Sequence, residues 1–357
     1  MGEGLSAGNG VSVMGIVLIA LGACFLTFAI AKIAAGNIWL SDIPNHRSSH
    51  EHATSKAGGV AFIAAFVVSV FMAASFVPAF NPELAVMLGT GIVAAFAIGL
   101  SDDVFALLPP IKLGLQIALA SAFVMVSGPV AVMVMPIIGE FSLPPVFGFA
   151  ISVFWIVGFM NAFNFIDGIN GLAGGSIALG LAFFAAIAMD SGGFTLGVMA
   201  IIGCAAMIGF LQLNYRGGKI FLGDNGSQSV SFFAAALALS GAQNAKVIDF
   251  FFLPIILLPI IFDVTWTLAH RAMRHQPLMQ AHREHNYQLL LRLGLSHLQV
   301  ANRYMISTII CGLGALFAVR HPEYGLVFVA GVCAIFAVIA HSIFKRADNA
   351  GLLKTRD

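Results

Sequence analysis

The stretch Asn161-Ala-Phe-Asn-Phe-Ile-Asp-Gly-Ile-Asn-Gly171 holds three Asn, one Asp and two Gly between two long apolar runs. Carboxylate and amide oxygens suit a hard cation, and Gly permits tight turns beside a ligand. The same residues could also form a plain turn between helices. Other clusters of this kind follow. Ser101-Asp-Asp103 sets two acids side by side, which calls for a cation or a shared proton unless both are solvated at a helix end. Phe221-Leu-Gly-Asp-Asn-Gly-Ser227 puts Asp224 in a Gly-flanked turn, able to offer a carboxylate to a metal or simply to reverse the chain. Lys56, Arg216, Lys219 and Arg283, with His282 and His285, could neutralise phosphates, or could be orientation charges only. Taken together these groups describe phosphate chemistry. The chain has no Walker loop and no Gly-x-Gly-x-x-Gly fingerprint, so metal and side chains would hold the phosphates.

The elements that carry these residues are membrane helices. Of the 357 residues 59% are hydrophobic and only 9% charged, and the mean hydropathy is +0.96. Those values exclude a soluble globular enzyme. Spans long enough to cross a bilayer are predicted at residues 11–34, 58–77, 84–100, 111–126, 146–160, 172–189, 194–213, 226–242, 247–269, 304–319 and 324–344. The piece 130–138 is too short to cross; with the Gly and Pro that follow it, it predicts a surface β-hairpin. The expected fold is an all-α polytopic membrane protein of 10–11 helices, one domain over residues 1–357, with a long loop at 271–303. The first span lacks a basic n-region and is expected to be retained. Cys24, Cys204, Cys311 and Cys333 all fall in apolar runs, as core residues would.

Eleven crossings split the basic residues cleanly: 15 of the 17 Lys and Arg fall on the side of the first loop, and only Lys246 and Arg320 on the other. The positive-inside rule then puts the N-terminus outside and the C-terminus in the cytoplasm. All the polar clusters, including Asp42-Ile-Pro-Asn-His-Arg-Ser-Ser-His50, share the cytoplasmic side. Asp263 lies within the ninth span, about two turns from Arg271. An acid at that depth is a functional candidate, and an interhelical hydrogen bond explains it as well.

Four motifs in order, Ser101-Asp-Asp103, Asn161-x-x-Asn-x-x-Asp-Gly-x-Asn-Gly171, Phe221-Leu-Gly-Asp-x-Gly-Ser227 and His282-Arg-x-His285, resemble the polyprenyl-phosphate N-acetylhexosamine-1-phosphate transferase superfamily. The likeness spans nearly the whole chain. It implies a bacterial cytoplasmic-membrane enzyme that joins a UDP-N-acetylated sugar to polyprenyl phosphate, releasing UMP, with Mg²⁺ or Mn²⁺. It implies Asn164 and Asp224 as metal ligands, Asp167 in the same cavity, and Asp102 and Asp103 on the lipid-phosphate side. Lys56, Lys112, Asn170, His282, Arg283 and His285 would bind the substrates. Asn170 stands where many bacterial members have Asp, which suits a nucleobase contact. The His-Arg-Glu-His loop looks more like the O-antigen-initiating branch than the triple-His run of the peptidoglycan-precursor enzyme. No nucleic-acid partner is expected, and a homodimer is left open. Two other classes remain at this stage: a secondary transporter, whose site would lie near the midplane between inverted repeats, and a lipid-phosphate hydrolase.

Overall fold

The computed structural model describes residues 6–36, 40–42, 53–135, 139–244, 250–278, 280 and 282–353. Residues 43–50, most of the first polar cluster, and 245–249, which include the first three residues of the ninth predicted span, lie outside them. The chain runs through α1 (Ser6–Ala35), β1 (Ser41–Asp42), β2 (Thr54–Ser55), α2 (Gly58–Phe76), α3 (Pro82–Phe105) and α4 (Pro109–Ser127). A hairpin of β3 (Val132–Met135) and β4 (Gly139–Ser142) leads to α5 (Pro145–Ile166), α6 (Leu172–Asp190), α7 (Phe194–Asn214) and α8 (Gly223–Asn244). Then come α9 (Phe252–Ile256), α10 (Leu258–Met273), α11 (Asn286–Arg292), α12 (His297–Arg320) and α13 (Gly325–Asn349).

Among the described residues nine helical segments are long and apolar enough to cross a membrane: those over α1 to α7, α12 and α13. The protein is a multi-pass, all-α membrane protein. The hairpin pairs antiparallel with Val132 opposite Ser142, as the short apolar piece predicts. A second two-stranded ladder, Ser41 opposite Ser55, was not expected.

The eighth and ninth predicted spans differ from the others for a physical reason. Helix α8 packs against α2, α3 and α5, and its Ser227, Gln228, Ser229 and Ser231 are fully buried. It meets protein rather than lipid, so it can carry polar residues if their groups find partners. Ser229 Oγ bonds back to the Asn225 carbonyl at 2.8 Å. The ninth span is broken at Leu257 into α9 and α10, with Pro259 in the first turn of the second piece, where its missing N–H costs nothing.

Three boundaries move towards the polar clusters. Helix α3 continues through Ser101-Asp-Asp103, α5 runs to Ile166, and α8 begins at Gly223. Asp102, Asp103, Asn161, Asn164 and Asp224 therefore sit on helix ends, not in loops. The predicted 271–303 loop is helical over about half its length, since α10 reaches Met273, α11 fills Asn286–Arg292 and α12 starts at His297.

Candidate active site

Four helix ends meet at one end of the bundle. Lys112, in the first turn of α4, places its ammonium 2.6 Å from Asp102 Oδ2 at the end of α3. The same ammonium lies 2.8 Å from Asp224 Oδ1 at the start of α8. Asn164, in the last turn of α5, donates to that Asp224 oxygen at 2.5 Å and to Ser227 Oγ at 2.8 Å. An acid is favoured at the N-terminus of α8, but Asp102 and Asp103 sit at a C-terminus, where the helix dipole opposes them. The ammonium offsets that cost for Asp102.

Asp103 is held differently. Its Oδ2 accepts from the Asn225 backbone N–H at 2.8 Å and side-chain amide at 2.6 Å, so one helix caps the next. That amide also donates to the Lys56 carbonyl at 2.9 Å, and Lys56 Nζ stands 3.9 Å from Asp103 Oδ1. The approach of α3 to α8 needs Gly99, because a methyl group there would collide with the Asp224 carbonyl.

One turn deeper three of these helices, α4, α5 and α8, make a second, uncharged layer. Gln116 Nε2 on α4 donates to Gln228 Oε1 on α8 at 2.7 Å, and Asn161 Nδ2 on α5 donates to Gln116 Oε1 at 2.8 Å. Positions 112 and 116, 224 and 228, and 161 and 164 are each one turn apart, so each pair shares a helix face. The sequence reading passed over both glutamines. Their signal was there: each follows a charged candidate by four residues, one helical turn.

Asp167 ends α5 and keeps part of its surface open, yet it is densely surrounded. Burial, then the negative charges of Asp224 and Asp103, push its carboxyl well above the usual range. Four carboxylates thus face two lysines. Asp103 Oδ1 and Asn225 Oδ1 are buried with no hydrogen-bond partner among the described residues. Among those residues no three His, Cys, Asp or Glu side chains form a protein-only metal site. A small hard cation that keeps water and phosphate oxygens as ligands needs only one or two carboxylates. The donor set and its surplus negative charge fit such an ion.

The histidine segment is anchored by Asp263 on α10. Its carboxylate accepts from the backbone N–H groups of Asn286 at 2.8 Å and Tyr287 at 3.3 Å, from the Asn286 amide at 3.1 Å and from the Tyr304 hydroxyl. It therefore anchors the start of α11. The Tyr287 hydroxyl donates to the Phe165 carbonyl at 3.0 Å, next to the Asp167 turn. A buried Arg271–Glu284 pair at 2.9 Å braces the same segment. His285 is buried, its ring 4.9 Å from that of His282. Burial, with His285 and Arg271 nearby, lowers His282 to about 4, so its imidazole is neutral at pH 7. Arg283 is exposed beside them. Asn170 faces the Gly217-Gly218 turn, its amide against Gly218. At Gly171, φ is +79°; its N–H donates to Asn214 Oδ1 at 2.7 Å, which turns the chain into α6.

The structure thus joins Asp102, Asp103, Lys56, Lys112, Asn164 and Asp224 by direct contacts, and brings Asp167 within reach of their charge. His282 and His285 form a neighbouring group, linked through Tyr287.

The model of glycosyl transferase family 4 matches residues 84–242, the part that carries both layers. The chain is 30% identical to a probable undecaprenyl-phosphate N-acetylglucosaminyl 1-phosphate transferase of Bacillus subtilis, over 75% of this chain and 74% of that protein. It is 26% identical to the decaprenyl-phosphate N-acetylglucosaminephosphotransferase of Mycobacterium tuberculosis, over 96% and 92%. To the phospho-N-acetylmuramoyl-pentapeptide-transferase of Staphylococcus saprophyticus it is 29% identical, over 55% and 64%. Matched across three quarters of its length, and with the family's span falling on the helices that carry Asp102, Lys112, Asn164 and Asp224, the chain is a multi-pass membrane enzyme belonging to glycosyl transferase family 4.

Proposed function

We propose that the protein transfers an N-acetylhexosamine-1-phosphate from a UDP-sugar to a polyprenyl phosphate, giving polyprenyl-diphosphate-sugar and UMP. The observation that carries this reading is the Lys112 ammonium, which Asp102 and Asp224 share. It is a cationic bridge among surplus acids, at one end of four helices. Such a cluster suits two phosphate substrates and a divalent ion, and suits neither a midplane transport site nor an apolar channel.

In the proposed reaction an oxygen of the lipid phosphate attacks the β-phosphorus of the UDP-sugar, and the bond to the UMP oxygen breaks. The second pKa of a phosphate monoester is near ~6, so the attacking group is largely dianionic at neutral pH and needs no strong base. Positioning and charge neutralisation then dominate. Lys112 and Lys56 offset the repulsion between two anions, with Arg283 reaching in from the histidine segment. Asp224, with the Asn164 side chain turned to present its oxygen, would hold Mg²⁺, which supplies charge neutralisation for the diphosphate. Asp102 or Asp103 accepts the proton when the lipid phosphate arrives protonated. The neutral His282 imidazole and the adjacent His285 contact the diphosphate-sugar, and Asn170 contacts the base.

N-acetylglucosamine is the favoured sugar, because relatives named for it align with most of this chain, whereas the muramoyl-pentapeptide relative aligns with little over half. The charge split supports a cytoplasmic site in a bacterial inner membrane, and the His-Arg-Glu-His loop supports a role in starting O-antigen or another surface polysaccharide. Incubating purified protein with radiolabelled UDP-N-acetylglucosamine and a short polyprenyl phosphate tests the reading. Labelled lipid and UMP are expected in equal amounts. Release of inorganic phosphate without nucleotide would establish a hydrolase instead.

A further inference from the structure

Away from the acid cluster, α10, α12 and α13 enclose a cavity of about 640 Å³. Phe262, Ile306, Phe336 and Ile339 are among its apolar lining residues. Ile306 and Ile339 are also exposed on the outside of the bundle, at 57% and 51%, on the two helices α12 and α13 that are long and apolar enough to cross a membrane. This face therefore opens towards hydrocarbon.

At one end the lining changes character. Arg303, in the second turn of α12, and Arg346, in the last turn of α13, both line the cavity and are exposed. Among the described residues neither guanidinium has an ion-pair or hydrogen-bond partner. Asp263 lines the same end, but its oxygens are already engaged by Asn286, Tyr287 and Tyr304. Asn286 lines it too, and its Oδ1 has no hydrogen-bond partner. A groove that is apolar along the bilayer and dicationic at the interface is complementary to one class of molecule, a membrane lipid with an anionic head.

We propose that this groove holds an anionic phospholipid of the surrounding bilayer, its phosphate between Arg303 and Arg346 and an acyl chain along Phe262, Phe336 and Ile339. It is not the place of the reacting phosphate. None of the lining residues makes a hydrogen bond or ion pair with Asp102, Asp103, Lys112, Asn164 or Asp224. The lining does include Asp263 and Asn286, the residues that fix the start of α11. An occupied groove therefore steadies the His282–His285 segment from behind.

The test uses the full chain, purified in detergent and stripped of lipid, with phosphatidylglycerol or phosphatidylcholine added and adducts read by native mass spectrometry. Phosphatidylglycerol is expected to bind in preference. The double variant Arg303→Ala/Arg346→Ala should bind it roughly thirtyfold more weakly, at about 1 kcal/mol per interfacial arginine. Arg303→Lys/Arg346→Lys should keep most of the affinity. Ile339→Trp, which fills the groove and leaves both arginines in place, should also abolish the adduct. Hydrogen exchange over residues 284–290 should slow when phosphatidylglycerol is added to the wild type and not when it is added to Ile339→Trp. Equal binding of the two lipids, or unchanged binding by the alanine double variant, would overturn the assignment. So would displacement of phosphatidylglycerol by polyprenyl phosphate, which would give the groove to a prenyl chain. These readouts need no turnover, so they stand or fall apart from the proposed reaction.

Discussion

Gln116 on α4 donates to Gln228 on α8 at 2.7 Å, one helical turn below the ion pair of Lys112 with Asp224. The two layers share their helices, so the neutral one sets the register in which the charged one forms. Both glutamines are fully buried. Gln116→Leu leaves the Gln228 side chain unpaired and should cost about 1–3 kcal/mol, whereas replacing both partners by leucine should recover much of that loss. Thermal unfolding of the single and double variants in detergent checks this. A double variant that is less stable by the sum of the two singles would show that the pair does not act as a unit.

Lys112→Met keeps the length of the side chain and removes the cation between Asp102 and Asp224. Turnover is expected to fall about 10²- to 10³-fold, as it does when a preorganised electrostatic contact is lost from an active site. The thermal midpoint should change much less. Steady-state assays on folded protein decide it, and a drop below tenfold would remove Lys112 from the machinery.

Asp263 makes its contribution at a distance. Asp263→Asn weakens the cage of donors around it and frees the start of α11, so KM for the UDP-sugar should rise about tenfold while kcat falls less. Tyr304→Phe, which removes one of the donors, should cost only about 1 kcal/mol of stability. A loss confined to kcat would mean that Asp263 acts on the chemistry rather than on the loop.

Asp167 gives a pH signature. Its carboxyl is held well above the usual range by burial and by Asp224 and Asp103, so the folded chain holds this proton more tightly than the unfolded chain. The group then favours folding most below its unfolded value of about 3.9, and that contribution is lost as pH rises from there through the raised folded value. Asp167→Asn has no proton to lose. With divalent ions removed, the wild type should lose stability relative to Asp167→Asn as pH climbs from about 4. Parallel pH profiles for the two proteins would contradict it.

The membrane fold, the hairpin and the residues of the charged layer were legible in the sequence because each leaves a local trace: a run of apolar residues, a short piece ending in Gly and Pro, an acid where lipid is near. Where helices end was less legible. Asp102, Asn164 and Asp224 looked like loop residues, because a polar residue normally ends a membrane span; here neighbouring helices cover them and the helix continues. The helical character of α8 was legible, but its place at the centre was not, since burial by protein and burial by lipid select differently only for its few polar residues, Ser227, Gln228, Ser229 and Ser231 among them. The anchoring role of Asp263 depends on α11, twenty-three or more residues away, and no pattern within its own span could reveal it.

The claim beneath all of this is that Asp224 and its neighbours hold a divalent cation during transfer. The most direct test is to titrate MgCl₂ into purified wild type and Asp224→Ala while following labelled lipid product. Wild type should be inactive in chelator and recover fully with Mg²⁺, while Asp224→Ala, still folded, should stay at least about 10²-fold lower at every concentration. Full turnover by the wild type in chelator, or an unchanged Mg²⁺ dependence in Asp224→Ala, would contradict it.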